Sequence, residues 1–261
     1  MGAIWAVVSG SGGAGKSTAC ANLAVAFALM NKRVILIDAN TGLRALDLLL
    51  GLENRAIYDL MDVADGVCGL KRALIRHPKW EGISLIAAAQ ARESGALDAA
   101  RLREIAGDCA SLADFTLIDA PPGVGRGFRA AAEAAEDAIV VTAPDCVARR
   151  DAEKLIGAMG RLGIGKPMLL VNRVLPEHAL KGAPVPLGSI GEALGGRLIG
   201  AIPEQRNMAS RQALGEPAAS TGTAAGRAYR DCARRLIGED VPLRLTPPSP
   251  WTRRFRALER K

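Results

Sequence analysis

The chain has 261 residues, a net charge of +7, 49% hydrophobic residues and only 3% aromatics. No apolar run approaches the roughly 18 to 20 residues a membrane span needs, so the composition reads as a soluble globular protein, either one large α/β domain or two small ones. The five cysteines are odd in number, scattered and without CxxC spacing, which points to reduced thiols used as small core residues rather than disulfides.

The first element is AIWAVV at residues 3–8. It follows Met1 with no basic n-region and is too short for a signal-peptide core, so it reads as the first strand of a cytosolic protein. SGSGGAGKST follows at 9–18, where Gly10, Gly15, Lys16 and Ser17 fit GxxxxGK[ST]. In such a loop the glycines let backbone N–H groups face phosphates, Lys16 reaches the β and γ phosphates, and the Ser17 hydroxyl ligates Mg²⁺. A strand leading in and a helix leading out, its N-terminal dipole aimed at the anion, are the context this chemistry demands. TACANLAVAFALM at 18–30 has the composition of that helix.

RVILIDA at 33–39 is a second buried strand, ending in Asp38. RHPKW at 76–80 reads as a helix end before Pro78. His77 and His178, the two histidines, lack acidic or thiol neighbours at ligand spacing, which argues against a zinc site or a Ser-His-Asp hydrolase. ISLIAAA at 83–89 is a strand and LDAARLREIAGDCASLA at 97–113 a helix. FTLIDAP at 115–121 is a strand carrying Asp119 at its carboxyl end. Ligands of open parallel sheets gather at such ends, so Asp38 and Asp119 become candidate metal-side carboxylates, although each could merely cap the next helix. Three more strands follow, AIVVTAP at 138–144, MLLVNRV at 168–174 and LIGAIP at 198–203. Their lack of polar alternation suits strands buried on both faces. Strands alternating with helices predict a doubly wound, mostly parallel α/β sheet, occupying residues 1–240 as one domain.

VPLRLTPPSP at 241–250 holds four prolines in its last nine residues and reads as a linker. WTRRFRALERK at 251–261 carries five basic residues and Glu259, a charge of +4 that leaves +3 for the other 250. The basic signal is therefore mostly a tail, and a nucleic-acid face on the folded domain is disfavoured. On a helix Trp251, Phe255 and Leu258 share one face while Arg254 and the other basic residues populate the rest. That pattern predicts an amphipathic helix lying on an anionic membrane surface, against the plainer reading of a solvated basic tail.

Several of these stretches together resemble the deviant Walker A ATPases of the MinD and ParA group, and within it the MinD septum-site branch, over nearly the whole length. LIDANTGLRALDLLLGLENRAIYDLMDV is similar to that branch's switch I stretch and FTLIDAPPGV to its Walker B strand. VVTAPDCVARRDAEKLIG, LLVNRV and IGAIPEQRNMASRQALGEPAAS resemble, in order, the following strand and helix, the Asn-Arg adenine element and the IPED and GEP region. The resemblance implies a P-loop ATPase with ATP and Mg²⁺ as ligands. Nucleotide contacts would come from Gly10, Ser11, Gly12, Gly13, Ala14, Gly15, Lys16, Ser17 and Thr18, with Asn172, Arg173, Pro203 and Glu204 at the adenine end. Metal contacts would come from Ser17, Asp38 and Asp119, and Lys16, Asp38 and Asn40 would serve hydrolysis. It further implies an ATP-dependent homodimer, MinC-like and MinE-like partners, and a cytoplasmic protein peripherally bound to the inner face of the cell membrane. A DNA-partitioning ATPase of ParA type and a non-hydrolysing nucleotide switch are the alternatives.

Two positions depart from the pattern. The group's KGGxGK[ST] loop has a lysine where this chain has Ser11, and its DxD has a second aspartate where this chain has Asn40. Ser11 carries no cation for a partner's phosphates and Asn40 cannot take a proton from water, so hydrolysis is expected to be slow unless a basic residue such as Arg44 or Arg126 compensates.

Overall fold

The structure is a computed structural model that describes residues 1–41, 43–89, 97–176, 187–205 and 207–243. The Trp251, Arg254, Phe255 and Leu258 helix and all but the first three residues of the proline-rich linker lie outside the described residues.

All seven expected strands form. β1 (Ala3–Val8), β2 (Val34–Asp38), β4 (Ile83–Ile86), β5 (Phe115–Asp119), β6 (Asp137–Thr142), β7 (Met168–Val174) and β8 (Arg197–Pro203) pair in parallel. The sequence reading missed β3 (Ile75–Arg76), an antiparallel edge strand on β4 that completes the order β3-β4-β2-β5-β1-β6-β7-β8. RHPKW is thus a strand end and turn rather than a helix end. The His77 ring, 6% exposed, accepts N–H bonds at Nδ1 from Lys79 and Trp80 and meets the Leu50 carbonyl with Nε2 at 3.0 Å. A turn built on a side-chain acceptor leaves no periodic signal.

The strands are apolar on both faces because both are covered. Ile4, Ala6 and Val8 of β1 belong to one core and Trp5 and Val7 to the other. The first core lies under α5 (Ala99–Leu112), α6 (Arg126–Ala134), α7 (Cys146–Arg161) and α8 (Leu187–Ala193). The second lies under α1 (Lys16–Ala28), α2 (Leu46–Leu49) and α10 (Ala224–Leu236). Short helices α3 (Leu60–Ala64), α4 (Leu70–Ala73) and α9 (Met208–Gln212) complete the set. Cys20, Cys68, Cys109 and Cys232 are buried as expected, but Cys146 is exposed, because it opens α7 at its solvent-facing first turn. Among the described residues no helix is long and apolar enough to cross a membrane.

Candidate nucleotide site

The glycine-rich loop links β1 to α1, so it sits at the carboxyl edge of the central strand with the first turn of α1 opening onto it. Its backbone needs its glycines. Gly13 and Gly15 adopt φ of +80° and +86°, a region costly for any residue with a Cβ. Gly10 passes so close to α7 that a Cβ would fall 2.4 Å from the Asp151 carbonyl. Nothing stands within 4 Å of the Cβ positions at Gly12 and Gly13, so the outer rim of the loop is open.

Three contacts fix the loop, two of them long-range. The Asn172 amide donates to the Ala14 carbonyl at 3.0 Å, from the end of β7. The Gly123 N–H donates to the Ser9 carbonyl at 2.9 Å, laying the turn after β5 across the loop. The Ser9 hydroxyl donates to the Ser11 carbonyl at 3.0 Å. At the start of α1, the Asn22 amide donates to the Thr18 carbonyl while its oxygen accepts the Ala219 N–H, both at 2.8 Å.

Lys16, Asp38 and Asp119 converge. β2 and β5 are neighbours with Asp38 and Asp119 in register, so the two carboxylates emerge side by side at the strand ends. Lys16 Nζ lies 2.5 Å from Asp119 Oδ1 and 3.4 Å from the Ser17 hydroxyl. Asp119 is fully buried, and its Oδ2 has no hydrogen-bond partner among the described residues. A buried carboxylate oxygen left unpaired is costly, and a bound cation or ligand would satisfy it. Asp38 is occupied differently. Its Oδ1 accepts the Asn40 N–H and its Oδ2 the N–H groups of Ala45 and Leu46. The carboxylate therefore holds the chain between β2 and α2 over the loop, which is the helix-capping role the sequence left open. Burial, and next the neighbouring Asp119 charge, push Asp38 up to about 7, against the pull of those N–H donors.

A cavity of about 410 Å³ opens above Gly12–Thr18, closed by Asn40, Leu43, Ala45, Leu48, Leu49, Pro122 and Arg173, a size that suits a small-molecule ligand. Beside it a smaller one of about 180 Å³ contains all four residues assigned to the adenine end, Asn172, Arg173, Pro203 and Glu204. The two share Gly15, Thr18 and Arg173. The smaller one also takes in Met208 and Gln212, which the sequence reading missed; Gln212 donates to the Thr18 hydroxyl at 2.8 Å from 194 residues away, and no local pattern signals such a pair.

Neither candidate replacement for the missing lysine faces this cavity. Arg44 is turned onto Asp47 at 2.6 Å, and Arg126 borders a separate cavity with Asp98 and Glu133. Among the described residues no group of three or more His, Cys, Asp or Glu side chains forms a metal site by itself. A cation would therefore combine Ser17 and the carboxylates with oxygens of the ligand. Open N–H groups at a helix N-terminus, a buried lysine and an unsatisfied carboxylate oxygen together suit a phosphate chain with a divalent cation.

The fold and this loop define a nucleotide-binding P-loop protein. The CobQ/CobB/MinD/ParA nucleotide binding domain matches residues 5–218, and the chain belongs to that family. Within it the chain is MinD-like. It is 38% identical to the septum site-determining protein MinD of Synechocystis over 93% of this chain and 92% of that protein. Among solved structures, MinD in the MinC:MinD cell division protein complex of Aquifex aeolicus superposes with a TM-score of 0.86 at 33% identity, covering 93% and 98% of the two chains. The septum site-determining protein of Pyrococcus horikoshii, complexed with Mg-ADP, gives 0.81 at 26%, covering 92% and 100%. A ParA family ATPase of Chlorobium tepidum is more distant, 0.73 at 19% over 89% and 99%, and shares the fold alone.

Proposed function

We propose that the chain is a MinD-like regulator of the cell-division site that binds ATP with Mg²⁺ at residues 10–18 and hydrolyses it slowly. The observation that carries this reading is the buried Lys16–Asp119 pair, with its unpartnered carboxylate oxygen, at the floor of an open glycine loop. Lys16 exchanges Asp119 for phosphate oxygens, the loop N–H groups bind the rest of the chain, and Ser17 with Asp119 and Asp38 would hold the metal. When bound, Mg²⁺ supplies charge neutralisation on the phosphates. Asn172, Arg173, Pro203 and Glu204 take the base end. Asn40 orients water without accepting its proton, and Ser11 brings no charge to a partner's site. Loss of a transition-state cation can cost about 10³-fold in rate, as for arginine fingers.

Dimerisation on ATP, a MinC-like partner, a MinE-like activator and the membrane helix at 251–261 are carried over from the resemblance. The Aquifex MinD structure, which holds MinC, supports the second of these. Three apolar side chains contribute at most ~1.5 to 3 kcal/mol each on a membrane, so one tail binds weakly and two on a dimer gain avidity. Nucleotide state would then set location between cytoplasm and membrane. A non-hydrolysing switch is the second reading, favoured by Ser11 and Asn40.

ATP turnover and co-sedimentation with anionic vesicles test the set, using wild type, Ser11→Lys, Asn40→Asp, their double variant and a chain ending at Pro250. The proposal expects slow wild-type turnover, faster turnover on restoring the two residues, and ATP-dependent sedimentation lost with the tail. Zero turnover in every variant would favour the switch. Sedimentation unaffected by truncation would remove the membrane helix from the account.

A further inference from the structure

We propose that His77 is a positioning residue for nucleotide binding: its clasp on the Leu50 carbonyl holds α2 in place as a wall of the loop cavity. The inference rests on the nucleotide reading above and concerns a residue that lines neither cavity.

The wall is the chain from Leu43 to Leu49, where Leu43, Ala45, Leu48 and Leu49 border the cavity above the glycine loop. A four-residue helix is too short to hold its own place, so α2 (Leu46–Leu49) depends on its ties. Its front is tied by Asp38, whose Oδ2 accepts the Ala45 and Leu46 N–H groups. The carbonyls at the rear of a helix have no partner inside it, and the one at Leu50 is met by His77 Nε2 at 3.0 Å. Because Nδ1 accepts the N–H groups of Lys79 and Trp80, at 3.0 and 3.2 Å, the ring proton sits on Nε2. His77 is therefore the donor and Leu50 the acceptor.

The clasp is anchored to the sheet. The His77 N–H donates to the Ile83 carbonyl at 2.9 Å, the next rung after the Arg76–Ser84 pair, and the ring stands 4.4 Å from that of buried Trp80. At the same helix end Gly51 takes φ of +66°, so close to Gly215 that a Cβ on Gly215 would fall 2.7 Å from the Gly51 Cα. Gly215 follows α9, whose Gln212 bonds Thr18. The rear of α2 thus touches both the sheet edge and the segment bordering the base end. A wall ordered before the ligand arrives lowers the ordering cost of binding, and affinity scales with the fraction of protein that holds the competent arrangement. Losing the clasp lowers that fraction.

The experiment is calorimetric titration of the full chain with ATP and Mg²⁺ at pH 7.5, comparing wild type, His77→Asn and His77→Gln, with the urea midpoint of each ligand-free protein. Asparagine places Oδ1 where Nδ1 stands, so it keeps the acceptor for the two turn N–H groups, as Asn does in turns, but cannot reach Leu50. Glutamine does the reverse: its amide N–H reaches the Leu50 carbonyl and the turn loses its acceptor. The proposal expects His77→Asn to weaken ATP roughly 3- to 10-fold, the range for one neutral hydrogen bond, and His77→Gln to bind ATP nearly as wild type does, whatever the order of the midpoints. A lowered midpoint alone leaves the affinity of the folded protein unchanged, so unchanged ATP affinity in His77→Asn would make the contact structural only and overturn the inference. Equal weakening in both variants would also overturn it, because the loss would then follow the ring and not the clasp. No ATP binding to wild type would instead overturn the nucleotide reading, and this inference with it.

Discussion

Replacing Gly15 by alanine tests how the loop is held. The new Cβ would stand 2.1 Å from the Asn172 amide nitrogen, on a backbone with φ of +86°. The backbone conformation alone costs roughly 1–2 kcal/mol for a residue with a Cβ. Displacing Asn172 forfeits its bond to the Ala14 carbonyl, about 1 kcal/mol more, so Gly15→Ala should destabilise the nucleotide-free protein by about 2–3 kcal/mol. Asn172→Ala alone loses only that bond, about 1 kcal/mol. In the double variant nothing remains to clash with and the bond is lost once, so its cost should fall short of the sum by about 1 kcal/mol. Gly10 is the control. Its Cβ would meet the main-chain carbonyl of Asp151 at 2.4 Å, which no side-chain change relieves, so Gly10→Ala and Asn172→Ala should add. Urea unfolding of the six proteins measures all of this. Additivity of Gly15→Ala with Asn172→Ala, or a neutral Gly15→Ala, would refute the latch.

Three further outcomes are expected. With Asp38 raised from 3.8 to about 7, its charge costs stability increasingly above pH 3.8 and levels off above about 7; in metal-free, nucleotide-free protein, Asp38→Asn should gain on wild type by about 2–3 kcal/mol between pH 5 and 8 in urea unfolding. Burial holds His77 below its ordinary value, opposed by the Leu50 carbonyl and aided by Arg55 and Lys79. Its neutral form is the folded one, so stability should fall as pH drops below 6.5, and this component should vanish in His77→Gln, as thermal unfolding at pH 5 and 7 would show. Of the five thiols, Cys146 alone should react quickly with a thiol reagent in the folded protein, read from the amplitude of the fast phase.

The strands were legible because a sheet covered on both faces needs unbroken apolar runs, and the loop was legible because its glycines, lysine and hydroxyl stand at fixed spacing within one short stretch. Asp38 and Asp119 could be placed at strand ends, but not assigned partners. That Asp38 is bound to Ala45 and Leu46, while Asp119 keeps a bare oxygen, depends on how the chain folds back after β2. The pairing of Thr18 with Gln212 and the engagement of Arg44 by Asp47 are likewise set by tertiary packing. The β3 edge was hidden for another reason: two residues carry no period, and the turn after them is built by the His77 ring.

The central claim is that residues 10–18 bind ATP with Mg²⁺ through the charge of Lys16. Calorimetric titration of ATP into wild type and Lys16→Gln, with Mg²⁺ and with EDTA, tests it most directly. Glutamine removes the cation beside the buried Asp119 carboxylate, so the unfolding midpoint of both ligand-free proteins is measured alongside to separate a loss of binding from a loss of fold. The account predicts Mg²⁺-dependent binding to wild type and a loss on the order of 10-fold or more in Lys16→Gln; equal affinity in the two proteins would contradict it.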